Sequence, residues 1–285
     1  MVFWGSIFDL RKRRHMSNPK VEPFLRWAGS KRKLLPRLAT YWGAGHERYL
    51  EPFMGSASLF FSLRPKRAIL SDLNAELVET FLCVKNDPDA VYSSLVAIRR
   101  GKRSYNSIRR IDPESLGVVQ RVARFIFLNR FCFNGLFRTN ALGRFNVPFS
   151  PSKTGNLPSL GRLRLASSAL RNAKICCQDF GGALAEVRRG DFVYLDPPYA
   201  VSNRRIFRQY GPSSFGLADL DRLAKSLKAI DKCGSAFVVS YAHCAEAMRV
   251  FEGWSVRRVV IQRNISGFAR HRRRAAELII SNIDL

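Results

Sequence analysis

The sequence predicts an α/β fold: a mixed, mainly parallel sheet flanked by helices, with a mainly helical subdomain inserted in it. Three observations carry this expectation. Short apolar runs rich in β-branched or aromatic residues recur at Tyr49–Pro52, Ala68–Ser71, Lys174–Cys177, Phe192–Leu195, Ala236–Ser240, Val256–Ile261 and Glu277–Ser281. They alternate with helical patterns, as strands and crossover helices do in layered folds. Several end on charged or turn residues (Glu51-Pro52, Asp72, Asp196-Pro197-Pro198), where parallel sheets place ligand groups.

Length and composition bound the rest. A chain of 285 residues can bury one substantial core and still carry a smaller subdomain. Hydrophobic residues at 46% and aromatics at 12% exclude a disordered chain, and no run is long enough to predict a membrane span. The net charge of +26 and a pI near 10.8 favour a polyanion as partner, nucleic acid before an anionic membrane surface. Cys83, Cys132, Cys176, Cys177, Cys233 and Cys244 lack paired CxxC spacing, and the 4 histidines are scattered. The expectation is therefore no metal site, reduced core thiols and a cytoplasmic location.

From the N-terminus, MVFWGSIFDLRKRRH places its apolar part before its basic part, opposite to a secretory signal. Residues 1–16 read either as a basic arm or as a start assigned upstream of Met16. In Phe24-Leu-Arg26-Trp27-Ala-Gly29-Ser-Lys31, the ordinary reading is a solvated basic helix start; the alternative is a ligand pocket in which the Trp27 indole packs on the ligand and Lys31 faces a carboxylate. Tyr49-Leu-Glu51-Pro52-Phe-Met-Gly55-Ser-Ala-Ser is a strand entering a small-residue turn and then a helix, which lets backbone approach a ligand closely. The next strand ends in Ser71-Asp72-Leu-Asn74, and an acidic residue so placed suits ribose hydroxyls. Together these two segments favour a nucleoside cofactor.

The stretch from Asp87 to Pro158 changes texture: Arg/Lys-dense helical segments, then LNRFCFNGLFRTNALGRFNVPF, punctuated by Gly, Asn and Pro. Leu128 and Phe131 read as core. Asn134, Arg138 and Asn140 fall where turn residues project, and their planar side chains match base edges. The last block is Asp196-Pro197-Pro198-Tyr199. An amino nitrogen on a nucleobase is a poor nucleophile because its lone pair is delocalised into the ring. Asp196 and the Pro197 carbonyl can accept its hydrogens, the prolines remove backbone donors, and Tyr199 offers a face for a base.

Taken in order, RWAGSKRKL, YLEPFMGSAS, LSDLN, LNRFCFNGLFRTNALGRFNVPF and VYLDPPYA resemble the Dam-type (class α, D12) DNA adenine N6-methyltransferases from about Phe24 to Asn282. The resemblance implies a Rossmann-like methyltransferase sheet, S-adenosylmethionine as donor, double-stranded DNA as partner and GATC as the commonest target. It implies catalysis at Asp196, Pro197, Pro198 and Tyr199. Cofactor contacts follow at Trp27, Lys31, Glu51, Pro52, Gly55, Asp72, Asp179, Phe180 and Asp196. DNA contacts follow at Arg26, Asn134, Leu136, Arg138, Asn140 and Pro148, with Arg138 reading a guanine. The catalytic domain would comprise residues 17–86 and 159–285, the target-recognition domain 87–158, and the protein would act as a monomer without an obligate protein partner. The chain departs from the pattern at Ala57, where a second glycine is usual, at Ser240-Tyr241 in place of Ser-Asn, and in the arginine-dense loop Arg270–Arg274. Two rivals stand beside this reading: an aminomethyltransferase acting on cytosine N4 or RNA, and a catalytically dead DNA-binding homologue.

Overall fold

The computed structural model describes residues 20–140, 142–150, 156–200, 215–262 and 274–284. The expected arm at 1–16, and Arg270 to Arg273 of the arginine-dense loop, lie outside these residues. In chain order the elements are α1 (Leu35–Leu38), β1 (Arg48–Glu51), α2 (Ser58–Leu63), β2 (Ala68–Asp72), α3 (Ala75–Asn86), α4 (Pro88–Ala97), α5 (Lys102–Arg110), α6 (Val118–Phe131), α7 (Leu160–Leu170), β3 (Ala173–Cys177), α8 (Phe180–Leu184), β4 (Asp191–Leu195), α9 (Leu217–Lys232), β5 (Ala236–Ala242), α10 (Ala245–Val250), β6 (Ser255–Gln262) and β7 (Arg274–Ser281). Each apolar run singled out in the sequence is a strand.

The strand order is β3-β2-β1-β4-β5-β7-β6, a Rossmann-like sheet. The first five strands are parallel, and β7 runs antiparallel to both β5 and β6. The chain moves outward from β1 to β3, crosses back to β4 and then moves the other way. A crevice therefore opens beyond the carboxyl ends of β1 and β4, where the order reverses.

Alternation along each strand divides the core between two faces. Tyr49, Phe192, Tyr194 and Ile279 enter one cluster; Leu50, Val193, Leu195, Leu278 and Ile280 enter the other. Because both faces are covered, the central strands read as continuous apolar runs rather than alternating ones. The first cluster continues without a break from the sheet into α3 to α7 through Phe81, Leu95, Tyr105, Phe127 and Leu163. Helix α6 buries every residue from Val122 to Phe131, Leu128 and Phe131 included. Its buried Arg130 is satisfied by the Asn156 carbonyl at 2.9 Å and 2.5 Å. Helix starts follow side-chain caps: Asn74 accepts from Leu77 N, Asp87 from Ala90 N ahead of Pro88, and Ser159 from Arg162 N.

The thiols depart from expectation. All six are free, but only Cys132 is buried, while Cys177 and Cys233 are exposed. The reason is positional: Cys177 is the last residue of the edge strand β3, and Cys233 follows the last turn of α9, so each lies at the end of its element. Among the described residues no helix is long and apolar enough to cross a membrane, and no group of three His, Cys, Asp or Glu side chains is placed to hold a metal.

Candidate functional site

A cleft of about 780 Å³ opens at the carboxyl ends of β1, β2 and β4. It is lined by Trp27, Lys31, Glu51, Pro52, Gly55, Asp72, Asp179, Phe180, Asp196, Pro197, Pro198 and Tyr199, all the residues singled out for catalysis or cofactor binding. The residues singled out for DNA contact are absent from its lining. They lie on the segment before Trp27 and on the 132–149 hairpin.

At one end, the turn after β1 sets the shape. Gly55 has φ +44°, and a Cβ there would sit 2.7 Å from Trp27 Cδ1, so the indole packs directly on bare backbone. Ala57 adopts φ 50° and ψ 40°, a left-handed conformation that costs an L-residue about 1–2 kcal/mol; the turn tolerates alanine without closing the cleft. Asp72 ties the turn to β2, since Gly55 N donates to its Oδ2 at 3.1 Å and Asn74 N to its Oδ1 at 3.0 Å. Burial pushes the Asp72 carboxyl up from 3.8 to about 6, against the pull of those N–H groups. Phe53, Phe180 and Phe215 form a three-ring wall with centroids 5.4 to 6.0 Å apart. Asp179 caps α8 through Gly181 N and pairs with Arg222, whose guanidinium lies 4.7 Å from the Phe180 ring centroid.

At the other end stands the loop after β4. In the pocket reading Lys31 faces a carboxylate, and its Nζ lies 2.6 Å from Asp196 Oδ1 and 3.1 Å from the Gly29 carbonyl. A buried ammonium needs a counter-charge, and Asp196 is the carboxylate within reach. Burial works against the charged ammonium, but Asp196, then Tyr199 and Glu277, more than reverse this and keep Lys31 protonated. Burial raises the Asp196 carboxyl, and Lys31 and Ser240 hold it down. The pair is ionic: the side chain of Lys31 is 6% exposed, and among the described residues Asp196 is the carboxylate in salt-bridge contact with it.

Ser240 Oγ lies 3.0 Å from Asp196 Oδ1 and 3.0 Å from the Tyr194 hydroxyl. Tyr241, the other half of the departure at the end of β5, accepts a hydrogen bond from Ala200 N at 2.7 Å and sets its ring at 63° to Tyr199, centroids 5.0 Å apart. The Tyr199 hydroxyl donates to Glu277 Oε2 at 2.8 Å. Glu51 accepts from the Tyr49 hydroxyl at 2.9 Å, and burial raises its carboxyl well above the usual range.

The hairpin is built differently. Bridges Cys132–Phe149 and Thr139–Phe145 pair its arms, and Asn140 closes its tip by accepting from Leu142 N and Arg144 N, both at 3.0 Å. Asn140 thus spends its carboxamide oxygen on the turn. Asn134 sits at φ +55°, next to Gly135 at φ +65°. Arg138 Nε donates to Asn146 Oδ1 at 2.7 Å, which orients its fork. Leu136 is half-buried and Pro148 exposed. Arg26 is tied to α6, its N–H and carbonyl bonding the Asn129 carboxamide at 2.9 Å and 2.6 Å, and Gly135 of the hairpin packs against its Cβ.

Sequence reasoning missed Phe53, Phe215, Arg222, Glu277 and the linked hydroxyls of Ser30, Ser56 and Ser58. The one available signal was at Glu277, a charged residue opening an apolar run.

A family model for D12 class N6 adenine-specific DNA methyltransferases matches residues 27–265. The Type II methyltransferase M.MjaIII of Methanocaldococcus jannaschii is 34% identical over 270 residues, spanning 87% of this chain and 93% of that protein. The DNA adenine methylase of Haemophilus influenzae is 32% identical over 279 residues (95% and 97%), and the Type II methyltransferase M1.LlaDCHI of Lactococcus lactis subsp. cremoris is 30% identical over 271 (92% and 95%). A match spanning most of the chain, with the motif-bearing strands ending on one cleft, places this protein in the D12 class of N6 adenine-specific DNA methyltransferases, with S-adenosylmethionine as donor and DNA as substrate.

Proposed function

We propose that the chain methylates N6 of an adenine turned out of duplex DNA, within GATC. The observation that carries this reading is the placement of Asp196, Pro197 and Tyr199 on one loop at the point where strand order reverses, in the cleft that also holds Asp72. The residues fit the donor. A 780 Å³ cleft lies within the roughly 300–1,000 Å³ of small-molecule sites. Asp72 is a buried acceptor suited to ribose hydroxyls, and the Phe53, Phe180 and Phe215 wall suits an adenine ring. The donor supplies an electrophilic sulfonium methyl.

The protein's part is positioning. Lys31 and Ser240 hold Asp196 Oδ1, and we assign Oδ2 and the Pro197 carbonyl to the two hydrogens of the acceptor amine. Accepting both localises the nitrogen lone pair toward the methyl. Tyr199 stacks on the base, whose removal from the helix costs a few kcal/mol that such contacts offset. Transfer is direct, and holding both reactants in line supplies most of the rate.

Arg138 reads guanine from the hairpin, with Arg26, Asn134, Leu136, Asn140 and Pro148 as further DNA contacts. In this reading residues 87–158 are the target-recognition part and 17–86 with 159–285 the catalytic part. One chain supplies every assigned residue, which supports action as a monomer, and the free thiols suit the cytoplasm. Mapping N6-methyladenine in DNA from cells expressing the protein tests the reading. Methylation confined to GATC is the expected result. Another sequence overturns the target, and absence of the modified base overturns the activity.

A further inference from the structure

We infer that Glu277 is a positioning residue for the acceptor site: its carboxylate holds the Tyr199 hydroxyl and so fixes the attitude of the ring against which the target base lies. This rests on the reading of Tyr199 as the stacking surface. Glu277 lies in β7, beyond residue 265 where the family match ends, and opposite Ala242 of β5 and Val259 of β6. It is 1% exposed. A carboxylate in the middle of a sheet is costly to desolvate and persists only with partners.

The partner that matters for the site is Tyr199, at 2.8 Å. The tyrosine is held at both ends. Near its backbone, Ala200 N bonds the Tyr241 hydroxyl at 2.7 Å; at its far end, Glu277 takes the phenol. The edge of Tyr241 packs on the ring, and the Lys31 ammonium stands 5.2 Å from its centroid. A phenylalanine at 199 would offer nearly the same stacking area but lose the tether, leaving the ring free to leave its stacking angle. Glu277 never meets the reacting atoms; it acts through the phenol, and its charge also bears on Lys31 and Asp196.

The test uses the full chain, a duplex of the mapped target sequence, and the same duplex with 2-aminopurine in place of the target adenine. Stacking on Tyr199 quenches the fluorescence of that analogue once it leaves the helix. Glu277→Ala and Tyr199→Phe should each slow single-turnover transfer by about tenfold, the scale of a modest misplacement of reactants. Donor affinity should stay within about twofold, which separates the effect from a damaged cofactor pocket. The double variant should lose much less than the product of the two single losses, because both remove the Tyr199–Glu277 bond. Glu277→Gln, whose carboxamide oxygen still accepts from the phenol, should recover most of the rate. Quenching should weaken in Glu277→Ala and return in Glu277→Gln.

Additive losses, or a Tyr199→Phe that transfers and quenches like the wild type, overturn the inference. If Glu277→Ala does not fold, Tyr199→Phe decides alone. Tyr199→Ala separates the two levels. Unchanged transfer and quenching there sink the stacking reading itself. Loss of both there, with Glu277→Ala and Tyr199→Phe normal, sinks only the role of Glu277.

Discussion

The cleft and the hairpin hold their working side chains by opposite means. In the cleft, Lys31, Asp196 and Tyr199, Ser240 and Glu277 come from four separate stretches of chain and fix one another through bonds of 2.6 to 3.0 Å. In the hairpin, Asn140, Arg138 and Asn146 lie within a few residues of each other, and turn geometry orients them. The difference matches the tasks. In the proposed function the cleft holds a reacting nitrogen, which tolerates little displacement, and its proposed partners are over-determined by long-range contacts. The proposed base reader on the hairpin must reach a partner outside the molecule, and it is presented from a local turn. The two regions meet at adjacent residues: Gly55 of the cleft turn presses on Trp27, and Gly135 of the hairpin presses on Arg26.

The largest expected effect breaks the cleft alone. Asp196→Ala should reduce methyl transfer by at least about 10²-fold, the scale of a misplaced reactant, while duplex binding stays nearly intact. Near-normal turnover in a radiolabelled-donor assay would show that the acceptor site lies elsewhere.

The joint can be broken from either side. Each glycine has positive φ, and an added Cβ would meet Trp27 Cδ1 at 2.7 Å or Arg26 Cβ at 2.6 Å. Gly55→Ala and Gly135→Ala should each cost about 2–3 kcal/mol of stability from backbone strain and overpacking. In thermal melts with each ligand, the first should lose donor-induced stabilisation and the second DNA-induced stabilisation. Equal loss of both by either variant would mean that the regions are not separable.

Specificity sharpens the contrast. Arg138→Ala should lower methylation of the preferred site by about five- to 150-fold, the kinetic equivalent of 1–3 kcal/mol for a bidentate guanine contact. Near-cognate sites should change far less. Initial rates on GATC and on duplexes with the guanine replaced measure this; an unchanged ratio between them removes Arg138 as a base reader.

The smallest effect is on pH. The Asp72 carboxyl, raised to about 6 by burial, is ionised at neutral pH, and in the proposed function it accepts the ribose hydroxyls in that form. Donor affinity should fall about tenfold between pH 7 and pH 5 as Asp72 takes up its proton, since each unit below a pKa near 6 removes about a factor of ten of the ionised form. Stability runs the other way: a folded pKa above the unfolded 3.8 means the native state binds the proton tighter, so this group's contribution is lost as pH rises from about 4 to 6. Calorimetric titration of wild type and Asp72→Asn checks the sign; a wild-type profile that the substitution leaves unaltered assigns the titration to another group.

The sequence by itself determined the strands, their ending on Glu51, Asp72 and Asp196, and the motif residues that line the cleft. These are legible because period, turn residues and motif spacing are local properties of the chain. Only the tertiary structure decided that Lys31 pairs with Asp196, that Ser240 and Tyr241 brace the acceptor loop, that Glu277 holds Tyr199, and that Cys177 and Cys233 face outward. Each of these depends on which strand lies beside which. The antiparallel insertion of β7 next to β5 carries Glu277 to a tyrosine 78 positions earlier in the chain, and no local pattern records that pairing.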